Sequence, residues 1–428
     1  MIKKFFILGL FLISVSILRG EERRQELPGE VVQISESTQE TAQEPEERPV
    51  SSEKKTGKSS GDFKNFYKKH FNTTLGLSEQ WDSNILLDES GENDDFITLI
   101  NPDVTLHFSN DLGYIETEWI GRYNYYADLD EFTISNSVSA LGFLTPNERL
   151  ALGARGNFDM TEESLVPTVF GDRILQLGYD IISTQPQVKY RWTEKWVSDI
   201  SYQFDKIDID NSALDDDVDR EGQGFLTNWE FEVTPSLFLI GGYAFRDVNF
   251  NENSLKDSFS NLYSGGIRKK IPNLFNVDLK VTYDDKDFDH SPDDENVDIA
   301  GSITSTFSRY TTFIFNGSYG LQESSRSEFT QYTTRRFSLI LQHYLMPKTV
   351  LILKGSYERQ TFDDGDLLVT FVTGDQETEL YSASVDLRRT LFSWLSVEVG
   401  YNFQERDTDF DREDLQDHII HWGIKAYF

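Results

Sequence analysis

The chain contains no cysteine in 428 residues. Neither a disulfide framework nor a thiolate metal site nor a thiol-borne lipid anchor is open to it. Positive charge is scarce: 40 Lys and Arg stand against 73 Asp and Glu, a formal net charge of −33, and a nucleic-acid partner is not expected of such a chain. Long apolar runs are missing too, apart from Phe5 to Leu18, which follows Lys3 and Lys4 and precedes Arg19 and Gly20. At about 14 residues that run is shorter than the roughly 20 a membrane helix requires. It reads as a secretory signal over residues 1–20, with Ser14, Ser16 and Gly20 as alternative cleavage positions. A helical membrane protein is excluded.

Catalytic patterns are also wanting. The six histidines are scattered, and neither Gly-x-Ser-x-Gly nor His-Glu-x-x-His occurs. His343 with a neighbouring Ser is the one arrangement that a hydrolase could use. Neither an enzyme nor a cofactor is expected. Asp407, Asp409 and Asp411 have the spacing of calcium ligands, but the glycine and distal glutamate of an EF-hand loop are lacking. A solvated loop is the preferred reading.

What is present is an aromatic-rich, strand-forming sequence, with 32 Phe, 19 Tyr and 7 Trp. Residues 21–62 stand apart from it, being rich in Glu, Ser, Thr, Gln and Pro and almost free of aromatics. Such a composition cannot bury enough apolar surface to offset its ordering entropy, so residues 21–69 are expected to be a disordered acidic periplasmic tether. From residue 70 to 428 the pattern has period two. Phe275, Val277, Leu279, Val281 and Tyr283 alternate with Asn276, Asp278, Lys280, Thr282 and Asp284. The segments 313–321 and 395–404 behave alike, and a helix would scatter these residues around its circumference.

The connections fall into two alternating classes. Compact ones occur around Asn110, Pro146, Thr193, Pro235, Pro272, Arg309, Pro347 and Phe392, and longer, mostly acidic ones lie between them. Bacterial barrels have short periplasmic turns and long external loops, so eight turns and nine loops predict an all-β transmembrane antiparallel barrel of about 18 strands in the cell outer membrane. An even count leaves both barrel ends in the periplasm. Pro102 and Pro186 fall inside predicted strands on the lipid side, where bulges are the expected remedy for a missing ladder donor.

The final strand places Ile420, Trp422, Ile424, Ala426 and Phe428 on one face. Trp422, Ile424 and Phe428 resemble the terminal signal read by the bacterial barrel-assembly machinery, an expected partner beside outer-membrane lipid and lipopolysaccharide. The opening hairpin, with Gly76, Asp82-Ser-Asn-Ile85, Asp95-Phe-Ile-Thr98 and Pro102, resembles the start of the β-barrel porin-2 family. That resemblance implies an outer-membrane barrel often accompanying exopolysaccharide systems, with surface polysaccharide as a partner. It transfers no site residues.

If the apolar faces meet lipid, the opposite faces line the lumen. Candidate lining residues are Arg122, Arg155, Arg191, Arg246, Arg268, Lys280, Glu116, Glu118, Glu230 and Glu398. Cations and anions nearly balance on that wall, which leaves the acidic surplus to the loops. Charges of this kind can line a selective eyelet or pair across the wall to fill it. The expected function is a porin-like channel for passive passage of ions or small polar solutes. Acidic loops at its mouth favour a modest cation preference that fades in concentrated salt. The alternative is a non-conducting surface barrel that binds or scaffolds exopolysaccharide, with Tyr125 and Tyr126 as stacking candidates.

Overall fold

A computed structural model of the chain describes residues 70–428 apart from 86–93, 162–167, 171–172, 176–177, 210–218, 252–256, 273, 290–293, 325–330, 363–375 and 411–413. The expected signal and the whole of the expected tether lie outside the described residues. The strands are β1 (Phe71–Asp82), β2 (Asp95–Asn110), β3 (Gly113–Tyr126), β4 (Glu131–Asn147), β5 (Leu150–Thr161), β6 (Thr168–Phe170), β7 (Arg173–Leu175), β8 (Tyr179–Arg191), β9 (Trp196–Ile209) and β10 (Arg220–Thr234). They continue with β11 (Leu237–Phe250), β12 (Ser258–Ile271), β13 (Phe275–Phe288), β14 (Asp294–Ser308), β15 (Thr311–Glu323), β16 (Gln331–Met346), β17 (Thr349–Phe362), β18 (Gln376–Phe392), β19 (Leu395–Thr408) and β20 (Leu415–Tyr427).

Eighteen of these form one antiparallel sheet, each pairing with its neighbour, and the first pairs with the last from Thr74↔Tyr427 to Asp82↔Ile419. The sheet is therefore a closed barrel without a free edge. β6 and β7 form a separate two-stranded hairpin inside the β5–β8 connection. The alternation rule does not detect it, because three-residue strands are too short to carry a period.

Register fixes which side chains share a face. Along β13 the pairs Arg268↔Asp278 and Gly266↔Lys280 interleave with Ile267↔Leu279 and Gly265↔Val281, so charged and apolar residues go to opposite sides. Propagated around the barrel, the apolar set forms the outer surface: Leu75, Ile200, Phe231, Leu279, Ile303, Leu339 and Val399 all stand exposed there. Aromatic side chains gather at the short-turn rim, where Trp192 stacks on Trp196 (5.7 Å) and Phe392 on Trp394 (5.6 Å). An apolar belt of this form needs a bilayer, and a closed antiparallel barrel with short turns at the end holding both terminal strands is the outer-membrane form. The protein resides in the cell outer membrane.

The two prolines are accommodated without bulges, which corrects the expectation from sequence. Leu75↔Pro102 and Ala154↔Pro186 sit in unbroken register, while the other flanks of both prolines lose two rungs with no shift, between Ile100↔Tyr123 and Asp103↔Ile120 and between Thr184↔Phe204 and Gln187↔Ser201. Gly121 makes the space at the first site, since a Cβ there would lie 3.1 Å from Pro102 Cγ. The register shifts that do occur lie beside turns, at Leu144/Asn147, Glu232/Thr234, Thr306/Ser308, Tyr344/Met346 and Thr390/Phe392.

The external ends show where part of the acidic surplus is used. Backbone N–H groups that the ladder leaves unpaired at strand ends are taken by carboxylates. Ile209 donates to Asp219 (2.7 Å), Phe250 to Asp257 (2.7 Å), Glu377 to Asp409 (2.9 Å), Thr408 to Asp414 (2.7 Å) and Asp128 to Asp95 (2.8 Å). These carboxylates terminate strands. Asp409, one of the calcium-like trio, is among them, and Asp411 lies outside the described residues.

The lumen as candidate functional site

A cavity of about 3390 Å³ occupies the barrel interior, and residues from all 18 barrel strands line it. Its wall carries ten Lys or Arg against nine Asp or Glu, so the −33 of the chain is not expressed there. Neutral polar side chains such as Gln185, Gln187, Asn228, Asn316 and Ser338 share the wall with apolar ones such as Leu141, Phe238, Ile240 and Ile340. Charge-based selection from sequence overlooks them, although they occupy the same alternate positions as the charged residues.

Of the ten candidates named from sequence, Arg155, Arg191, Arg268, Lys280 and Glu230 line the cavity. Arg122, Arg246, Glu116, Glu118 and Glu398 share the inward face by register but do not border it. Several are held in pairs. Arg268, only 14% exposed, donates through Nε to Asp278 and through Nη1 to Glu230, both at 2.6 Å, joining β10, β12 and β13. Arg336 meets Glu358 at 2.6 Å, Arg388 meets Glu398 at 3.3 Å, and Arg246 approaches Asp205 at 3.8 Å. Glu116 faces His107 at 3.2 Å, and His421 lies 3.3 Å from Asp386. Such pairs, on adjacent strands or reaching across one, fill volume and lock register at little net charge.

The terminal-strand candidates lie elsewhere. Trp422 and Ile424 are exposed on the outer surface, and Phe428 extends the ladder by donating its N–H to Thr73 O (2.9 Å) while its side chain stays 69% exposed. His343 pairs with Thr311 Oγ1 at 2.9 Å on the outer face. Among the described residues no group of three His, Asp or Glu could hold a metal ion.

One feature of the interior breaks the alternation rule. Near the external ends, apolar side chains appear on the inward face: Ile97, Tyr126, Ile209, Val248, Phe250, Phe288, Tyr332, Phe362 and Leu415 are all buried. Ile85 packs with Ile97 and Tyr126, and Phe410 meets Phe362 edge-on at 5.1 Å while Tyr332 stacks on it at 5.1 Å. This inner collar sits at the external end, whereas the cavity reaches the periplasmic turns at Asn110–Gly113 and Thr145–Leu150. Its sequence signal is an apolar residue of lumenal parity within the rungs next to a long loop, before or after it. Tyr126, a sugar-stacking candidate, belongs to the collar at 0% exposure, whereas Tyr125 is exposed on the outer face with its hydroxyl on Asp130 (3.1 Å).

No family model matches the chain, and no curated protein matches it. Solved structures similar to it include three outer-membrane proteins of Pseudomonas aeruginosa, each at 10% identity over 84% of this chain. They are OccK11 (OpdR), with 96% of its length covered and a TM-score of 0.44, OpdK (100%, 0.45), and OccK2 (OpdF) in complex with glucuronate (98%, 0.47).

Proposed function

We propose that this outer-membrane barrel is a passive channel for small hydrophilic solutes. The observation that carries the reading is the lumen itself: a cavity of about 3390 Å³ with a charge-balanced, hydroxyl- and amide-rich wall contributed by every barrel strand. A barrel kept only as a scaffold would gain stability by filling that space with apolar side chains, as it does at the collar. A space of this size lined by charged, hydroxyl and amide side chains is instead the form of a conduction path.

The alternative from sequence is a closed barrel that binds exopolysaccharide, as the porin-2 resemblance implies. It requires accessible aromatic faces at the external surface. Burial of Tyr126 removes one of the two stacking candidates named for it, which favours the channel. Trp422, Ile424 and Phe428, aligned on the outer face of the last strand, are suited to recognition by the barrel-assembly machinery.

The test is conductance of the purified, folded barrel in a planar bilayer. Discrete current steps in KCl are expected. A barrel that inserts, keeps its strand content and passes no current overturns the channel reading.

A further inference from the structure

Four lumenal arginines are neutralised within the wall: Arg268, Arg336, Arg388 and Arg246 each face a carboxylate. Arg155 and Arg191 are not. By register Arg155 stands opposite Leu141 on β4 and Gln185 on β8, and Arg191 stands opposite Val197 on β9. Neither forms an ion pair among the described residues, and both border the cavity. Lys189 lies between them in height, with Asp199 the one carboxylate directly across from this strip. The next inward carboxylate on β5 is Asp159, four residues beyond Arg155. Gln185 and Gln187 add amide donors along the same face.

We propose that the β5–β8 wall is a binding strip for small carboxylate anions, with Arg155 and Arg191 as its principal ligands. Its role in transport rests on the channel reading, but its binding does not. A guanidinium presents a planar fork of donors that matches a carboxylate bidentately, and among the described residues these two border the cavity with no carboxylate in an ion pair with either. Six residues separate Gln185 from Arg191, so at about 3.4 Å per residue the cations are spaced over about 20 Å of wall. An anion can therefore pass from one donor set to the next. A cation at the same wall meets Arg155, Lys189 and Arg191 with Asp199 the one carboxylate directly across, while Glu148 and Glu194 sit in the flanking turns beside Arg149 and Lys195. The strip thus opposes the cation preference that the acidic loops would impose on their own.

The experiment is calorimetric titration of succinate into the barrel folded in zwitterionic detergent, with choline as the cationic control. Variants are Arg155→Gln, Arg191→Gln, the double change, and Lys354→Gln. Lys354 borders the same cavity on β17, nine strands around the barrel and so on the opposite wall. Succinate should bind the wild type, lose one binding site with each arginine removed and all measurable binding in the double change, and change less than about twofold in affinity in Lys354→Gln. Absence of succinate binding to the wild type, or an equal loss in Lys354→Gln, overturns the proposal. Heat-modifiable gel mobility confirms that each variant is folded. Reversal potentials under a potassium succinate gradient then separate the two readings. A barrel that binds succinate but passes no current keeps the strip and loses the channel. One that conducts without binding keeps the channel and loses the strip.

Discussion

Leu279 and Ser302 provide a direct measure of which face meets lipid. Leu279 lies on the outer surface of β13, 43% exposed and four residues beyond Phe275 at the periplasmic end of the strand. With about 3.4 Å of rise per residue and a tilt near 40°, it stands roughly 10 Å into an apolar band about 25 Å tall, close to the midplane. An arginine at that depth costs about 2–4 kcal/mol, about thirtyfold to several hundredfold in the folding equilibrium. Ser302 borders the lumen directly across from Asp278, so Ser302→Arg adds a solvated charge beside a carboxylate and should change stability by less than about 0.5 kcal/mol. The assay is urea unfolding of the barrel in phosphatidylcholine vesicles, followed by tryptophan fluorescence. If Leu279→Arg is as stable as the wild type, or Ser302→Arg costs as much as Leu279→Arg, the assignment of faces is wrong for the whole barrel, because register ties every strand to these two.

Arg268→Met should destabilise the barrel by about 2 kcal/mol, less than for a fully buried pair because Glu230 and Asp278 keep about a third of their exposure. Adding Glu230→Gln and Asp278→Asn should recover most of that loss in the same urea titration, and no recovery would show that the cost is packing. Asp257→Ala removes the acceptor for the Phe250 N–H and should cost about 1 kcal/mol. Hydrogen exchange accelerating at Phe250, with distant strands unchanged, is its signature. Cysteines replacing Asp130 or Asp409 in this cysteine-free chain should react with an impermeant maleimide on intact cells, and ones replacing Asn147 or Lys348 should not. Labelling of the second pair alone would invert the topology.

Strand number and membrane-facing side were legible in the sequence because a barrel strand has two environments and a period of two. Each residue's side follows from its parity, as Leu279 and Lys280 show, and turn length separates one end from the other. The lumenal candidates followed from the same parity. What parity cannot reveal is partnership across strands. Arg268 and Arg155 are equivalent by pattern, yet register sets the first opposite Asp278, with Glu230 in reach across β11, and the second between Leu141 and Gln185. One charge is consumed and the other is available. The same holds for Pro102, whose fit depends on Gly121 on the facing strand β3, and for the inner collar, where Tyr332 and Phe362 break alternation because Phe410 covers them. Local sequence sets the face of a side chain through backbone geometry. Its neighbours on that face are set by pairing between distant segments, which only the closed sheet decides.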